Sequence, residues 1–168
     1  MKKLLFVLVL LLAGYFAWRN VRITAEKPVA AVPSTTSAPA GIPQAEATPG
    51  GSLNRAFPEA AAGYKLTFSQ EKDGFSQADL TQDGKKVAML TISDTAANPS
   101  ARDKFKTSKK QIGGFPSAPV GALGTAVLVG DRYQVQARSA GPAFTAADRE
   151  AWLARFKLAE LATIAKEK

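Results

Sequence analysis

The stretch YKLTFSQEKDGFSQADLTQDGKKVAMLTI, residues 64–92, decides the fold. Tyr64, Leu66 and Phe68 alternate with polar residues, the two-residue period of a half-buried strand. Lys72-Asp73-Gly74 then reads as a three-residue loop with Gly74 left-handed. That loop sets Phe68 opposite Ala78 and Leu66 opposite Leu80, so the apolar faces match. A two-residue loop would set Phe68 against Asp79 and is rejected. Asp83-Gly84 is a two-residue hairpin signal that pairs Leu80 with Val87 and Ala78 with Met89. The third strand, residues 87–92, is apolar on both faces and is expected at the centre of a sheet.

Downstream, Asn98-Pro99 reads as a helix start, with Ala101, Phe105, Ser108 and Ile112 as one packing stripe and Gly113-Gly114 as the stop. A second hairpin turns at Gly130-Asp131. A two-residue turn there pairs Leu128 with Tyr133 and Ala126 with Val135 on the buried face. Thr145 followed by Asp148 resembles a capping box, opening a helix that turns Trp152, Leu153 and Phe156 inward, and Leu158, Leu161 and Ile164 extend the apolar stripe. The expected domain is α+β: a twisted, mainly antiparallel sheet of about five strands in β-β-β-α-β-β-α order, packed by two helices.

The amino-terminal third has a different character. An apolar run over residues 4–18 follows Lys2 and Lys3 and is closed by Arg19, Asn20 and Arg22. As a helix it is roughly 22 Å long, short of a hydrocarbon core of about 30 Å, so length alone does not separate a signal peptide from an anchor. The sequence after the run does. No small-x-small cleavage site follows it, whereas Tyr15, Phe16 and Trp18 stand where an interfacial aromatic belt would, followed by arginines able to snorkel. Residues 4–12 contribute about −3 to −5 kcal/mol on an insertion scale. The expectation is an uncleaved anchor over residues 1–22 in a bacterial cytoplasmic membrane, with the carboxyl-terminal part in the periplasm. Cleavage would instead release a secreted domain. Pro28, Pro33, Pro39, Pro43 and Pro49 then punctuate a stretch rich in Ala, Thr and Ser. Residues 23–54 are accordingly read as a flexible tether and residues 55–168 as the globular domain.

Composition narrows the chemistry. The 168 residues include neither Cys nor His, which excludes disulfides, thiolate or imidazole metal sites and a Ser-His-Asp triad. Asp73, Asp83 and Asp131 fall at turns, and Asp94 falls at a strand end where turn or capping duty suits it. Ser108-Lys109 are neighbours that point apart on a helix, Gly84-Lys85 lacks the glycine of a phosphate loop, and no dinucleotide fingerprint is present. No catalytic residue, cofactor or metal ligand is assigned. The rival reading is an extracytoplasmic enzyme working through Asp, Glu or Lys.

Lys and Arg number 22 against 14 Asp and Glu, a net charge of +8. On the expected helix, Arg102, Lys106, Lys109 and Lys110 share an arc of about 100°, a face able to hold an anionic partner or simply to be solvated. On the last hairpin, Arg132, Gln134, Gln136 and Arg138 project together, long donors suited to a carboxylate or sugar. The partners expected are a lipid bilayer at the apolar helix and a protein or anionic envelope component at the domain. Nucleic acid is not expected, since no aromatics interleave with the charges.

Overall fold

A computed structural model describes residues 46–166. The anchor and most of the tether lie outside the described residues. Among those described, no helix is long and apolar enough to cross a membrane.

The domain is α+β, a mostly antiparallel open sheet of seven strands with a few helices. A short helix, α1 (Gly50–Asn54), precedes the hairpins of β1 (Tyr64–Lys72), β2 (Phe75–Gln82) and β3 (Lys85–Asp94). A 3-10 helix (Pro99–Phe105) leads to β4 (Gln111–Ile112), β5 (Phe115–Pro119), β6 (Gly124–Val129) and β7 (Tyr133–Ser139). Helices α2 (Ala146–Leu153) and α3 (Leu158–Lys166) follow. The sheet order is β1-β2-β3-β7-β6-β5-β4, which places β3 inside the sheet as expected.

Two bulges and one three-residue turn account for where the pairing departs from the sequence reading. The first turn has two residues, since Lys72 pairs with Phe75. A register shift at Ser69 then restores Phe68 opposite Ala78 and Leu66 opposite Leu80. The expected apolar match is therefore present, produced by a two-residue turn and a bulge instead of a three-residue loop. In the second hairpin the Asp83-Gly84 turn is as expected, but Val87 bulges out, so Leu80 meets Ala88 and Ala78 meets Leu90. The shift brings Ala88, Leu90 and Ile92 onto the buried face and leaves Val87 and Met89 half-buried.

The third correction follows from Gly130 and Asp131, both with positive φ (58° and 51°). They close a tight turn in which Arg132 N donates to Val129 O, yet it is Tyr133 that pairs with Val129. Arg132 is therefore an extra residue outside the strand. The slip exchanges the faces: Val127, Val129, Tyr133, Val135 and Ala137 enter the main core, and Leu128 and Ala126 point the other way. As a result β6 is buried along its whole length.

The helix expected from residue 98 to residue 112 is not formed. Its first half is the 3-10 helix, and Gln111–Ile112 is a strand. Phe105 and Ile112 belong to different core clusters, so they cannot share one helical stripe. Gly113-Gly114, both with positive φ, form the turn between Ile112 and Phe115 rather than a helix stop. The capping box is present: Thr145 Oγ1 accepts from Asp148 N, and the Asp148 carboxylate accepts from Thr145 N. The apolar stripe beyond it is divided between α2 and α3, with Trp152, Leu153, Phe156, Leu158 and Leu161 buried.

The main core unites these side chains with one face of the sheet and with Leu53 and Phe57. Residues 46–54, read as the end of the tether, thus belong to the folded body. Leu53 is fully buried, and Asn54 bridges the Glu71 carboxylate and the Ser76 hydroxyl across β1 and β2. On the opposite face a smaller cluster of Phe105, Ala118, Ala126 and Leu128 covers the β5–β6 side.

Candidate functional site

Because the residues around 106–110 are not helical, the four basic residues read as one face are divided. Arg102 is latched to the chain, its Nε donating to Pro99 O (3.2 Å) and its Nη1 to Asp131 O (2.6 Å). Lys106 pairs with Asp103 at 2.7 Å in the open. Arg102 and Lys106 border one shallow cleft of about 380 Å³, with Phe105 and Leu128 as its floor. Lys109 and Lys110 border a different cleft of about 510 Å³.

The second predicted group also divides. Arg132, displaced into the turn, is ion-paired with Asp94 and does not join a row. Gln134, Gln136 and Arg138 do share the outer face of β7. Gln134 Nε2 donates to Gln136 Oε1 at 3.2 Å, and Gln134 Oε1 is sealed from solvent with no partner among the described residues. Arg138 is exposed, opposite Met89 on β3 and Gly124 on β6.

The larger cleft contains a residue that sequence reasoning passed over. The Thr145 capping box sets the phase of α2 so that Arg149 points inward with Trp152 and Leu153, and it is 7% exposed. Its Nε donates to Thr125 Oγ1 (3.0 Å) on β6, and its Nη1 donates to Ser139 Oγ (2.8 Å) on β7. The Ser139 hydroxyl passes its own proton to Phe144 O, so that oxygen is satisfied as acceptor and donor. Among the described residues no carboxylate lies within ion-pair reach of Arg149, although four other ion pairs form.

Arg149 Nη2 has no acceptor among the described residues. Arg149 is also one of the residues that line this cleft. Small residues such as Ala118, Gly121 and Ala146 make up much of the remaining wall. Charge on the rim is mostly positive: Lys109 and Lys110 face a single carboxylate, Glu150, which takes Lys110 Nζ at 2.6 Å. Buried arginines normally have an anionic partner, because two hydroxyl dipoles replace only part of the lost hydration. The signal was present in the sequence. Arg149 stands three residues before Trp152 and four before Leu153, a lone cation on an apolar stripe.

At the far end of β3 the network around Asp94 is saturated. Its carboxylate accepts from Arg132 Nε and Nη2, from Thr48 N and Oγ1, and from Ala96 N. Because the single Thr48 hydroxyl proton goes to Asp94, the Tyr133 phenol donates to Thr48 Oγ1 at 2.6 Å. Burial alone would raise the Asp94 pKa. The donors from Arg132, Ala96 and Thr48 outweigh it and hold the carboxyl below the usual aspartate value. Burial pushes the Tyr133 phenol up, keeping it a donor. With every position filled from within the chain, this cluster is a structural clasp. Asp94 therefore has the backbone-supporting duty its position at a strand end implied.

Among the described residues no group of three His, Cys, Asp or Glu side chains is placed to hold a metal ion. The chain matches no protein-family model, no curated protein and no solved structure.

Proposed function

We propose that this protein is a membrane-anchored, extracytoplasmic binding domain of a bacterial envelope, acting without catalysis. The observation that carries the reading is the apolar run over residues 4–18, which ends in aromatics and arginines without a cleavage site. In this reading the proline-punctuated stretch that begins at residue 23 is the tether between the anchor and the domain. The clasp at Thr48 and Asp94 supports this organisation, because it secures the polypeptide where the tether would meet the domain.

Binding rather than turnover is favoured by the titratable groups. The most deeply held carboxylate, Asp94, is consumed by five donor contacts, and Glu150 is paired with Lys110. Asp94, held below the usual aspartate value by those donors, is not placed to move a proton. The test is fractionation followed by mass spectrometry of the intact protein, together with a phosphatase fusion at Lys168. Recovery from the membrane with the amino terminus intact, and an active fusion, are expected. A shortened protein in the soluble fraction, or an inactive fusion, would overturn the assignment.

A further inference from the structure

We propose that the cleft at Arg149 binds an oxyanion, the phosphate or carboxylate head of a small molecule. The proposal rests on the reading of this domain as a binding module and names the chemistry of its ligand. Three observations converge. Arg149 is a buried guanidinium held at Nε and Nη1 by the hydroxyls of Thr125 and Ser139, with no carboxylate partner among the described residues. Those two contacts come from adjacent strands and fix the plane of the fork, while Nη2 has no acceptor among the described residues and Arg149 lines the cleft. The opening itself has Lys109 and Lys110 on its rim.

A cation withdrawn from water is costly unless an anion faces it; the neighbouring Asp148 carboxylate feels Arg149 but forms no ion pair with it, and the one carboxylate lining the cleft among the described residues, Glu150, is engaged by Lys110. An arriving oxyanion would accept from Nη2 and gain the field of Lys109, with Lys110 shared between it and Glu150, in a site where the low exposure of Arg149 strengthens the attraction. The cleft volume of about 510 Å³ lies in the range of small-molecule sites, so a bare ion would leave it largely unfilled and the oxyanion is expected as one end of a larger ligand. Its wall of Ala118, Gly121 and Ala146 leaves room for that body. The first cleft lacks these properties. Arg102 there is already engaged by two carbonyls, and Lys106 by Asp103.

The experiment is calorimetric titration of the full-length protein in a nonionic detergent with inorganic phosphate and, separately, with succinate, at constant ionic strength. Saturable binding of phosphate alone would assign a phosphate ester; binding of succinate alone would assign a carboxylate. Arg149→Gln should weaken the binding at least about tenfold, as loss of a charged hydrogen-bond donor implies. Lys109→Gln with Lys110→Gln should weaken it several-fold, and Arg102→Gln with Lys106→Gln should leave it unchanged. Neither anion binding, or equal affinity in Arg149→Gln, overturns the proposal. If Arg149→Gln does not fold, the lysine pair decides, and unchanged affinity there is fatal. None of these readings depends on whether the amino terminus is retained, so a failure here is distinct from a failure of the anchor.

Discussion

Arg132 Nη2 donates to Asp94 Oδ2 at 2.8 Å, and the two side chains are only 11% and 2% exposed. The same guanidinium reaches Glu46 O at 2.8 Å, so a single arginine joins the end of β3, the turn after β6 and the polypeptide entering the domain. Thr95 completes the join, its N and Oγ1 both donating to Arg132 O.

Replacing Asp94 with Asn should be severe. The change leaves a largely buried guanidinium without its counter-charge, which costs about 3–5 kcal/mol when a buried pair loses one member. Urea denaturation should report that loss. A change below 1 kcal/mol would show that the pair is solvated in practice.

Acid should act through the same carboxylate. The folded pKa of Asp94 lies below its unfolded value, so the stabilisation is fully present above the unfolded value and is lost as pH falls through the folded one. Melting temperature is therefore expected to hold between pH 5 and pH 8 as far as this group is concerned, and to drop below about pH 4. In Asp94→Asn that acid-dependent drop should be smaller. An equal drop in both proteins would place the acid sensitivity elsewhere.

Leu53→Ala tests where the folded body begins. Leu53 is fully buried against the main core, although its neighbours resemble tether. Truncating such a leucine costs about 2–5 kcal/mol. A loss within 0.5 kcal/mol, the range of a surface substitution, would mean that α1 does not pack as described.

Gly130→Ala probes the turn that displaces Arg132. The glycine has φ 58°, and an added Cβ would lie 2.6 Å from Ala165 Cβ on α3. Overpacking of this kind costs about 1–3 kcal/mol, beyond the strain of the left-handed backbone. Faster amide exchange in α3 than in β3 should accompany it. Uniform protection across both elements would contradict that contact.

Features with local chemistry were legible in the sequence. The Asp83-Gly84 turn, the capping box at Thr145 and Asp148, and the alternation that half-buries Tyr64 and Leu66 each depend on residues a few positions apart, although Phe68, next in the same period, is exposed. The same locality explains the misreading of residues 106–112: a periodic stripe cannot announce that Phe105 and Ile112 will lie in different core clusters. The bulges at Ser69 and Val87 and the extra turn residue Arg132 were equally silent, because an extra residue is identified only by the partners on either side of it.

What the chain determined by itself is the character of its parts: an apolar run, a proline-rich stretch and an α+β domain without imidazole or thiol chemistry. Tertiary structure alone decided which charges meet. Asp94 finds Arg132 across 38 residues, and Arg149 finds Thr125 across 24 and Ser139 across 10 without finding an anion. The reason is that Coulomb energy and desolvation depend on distance and exposure in space, and neither is written in the order of residues along the chain.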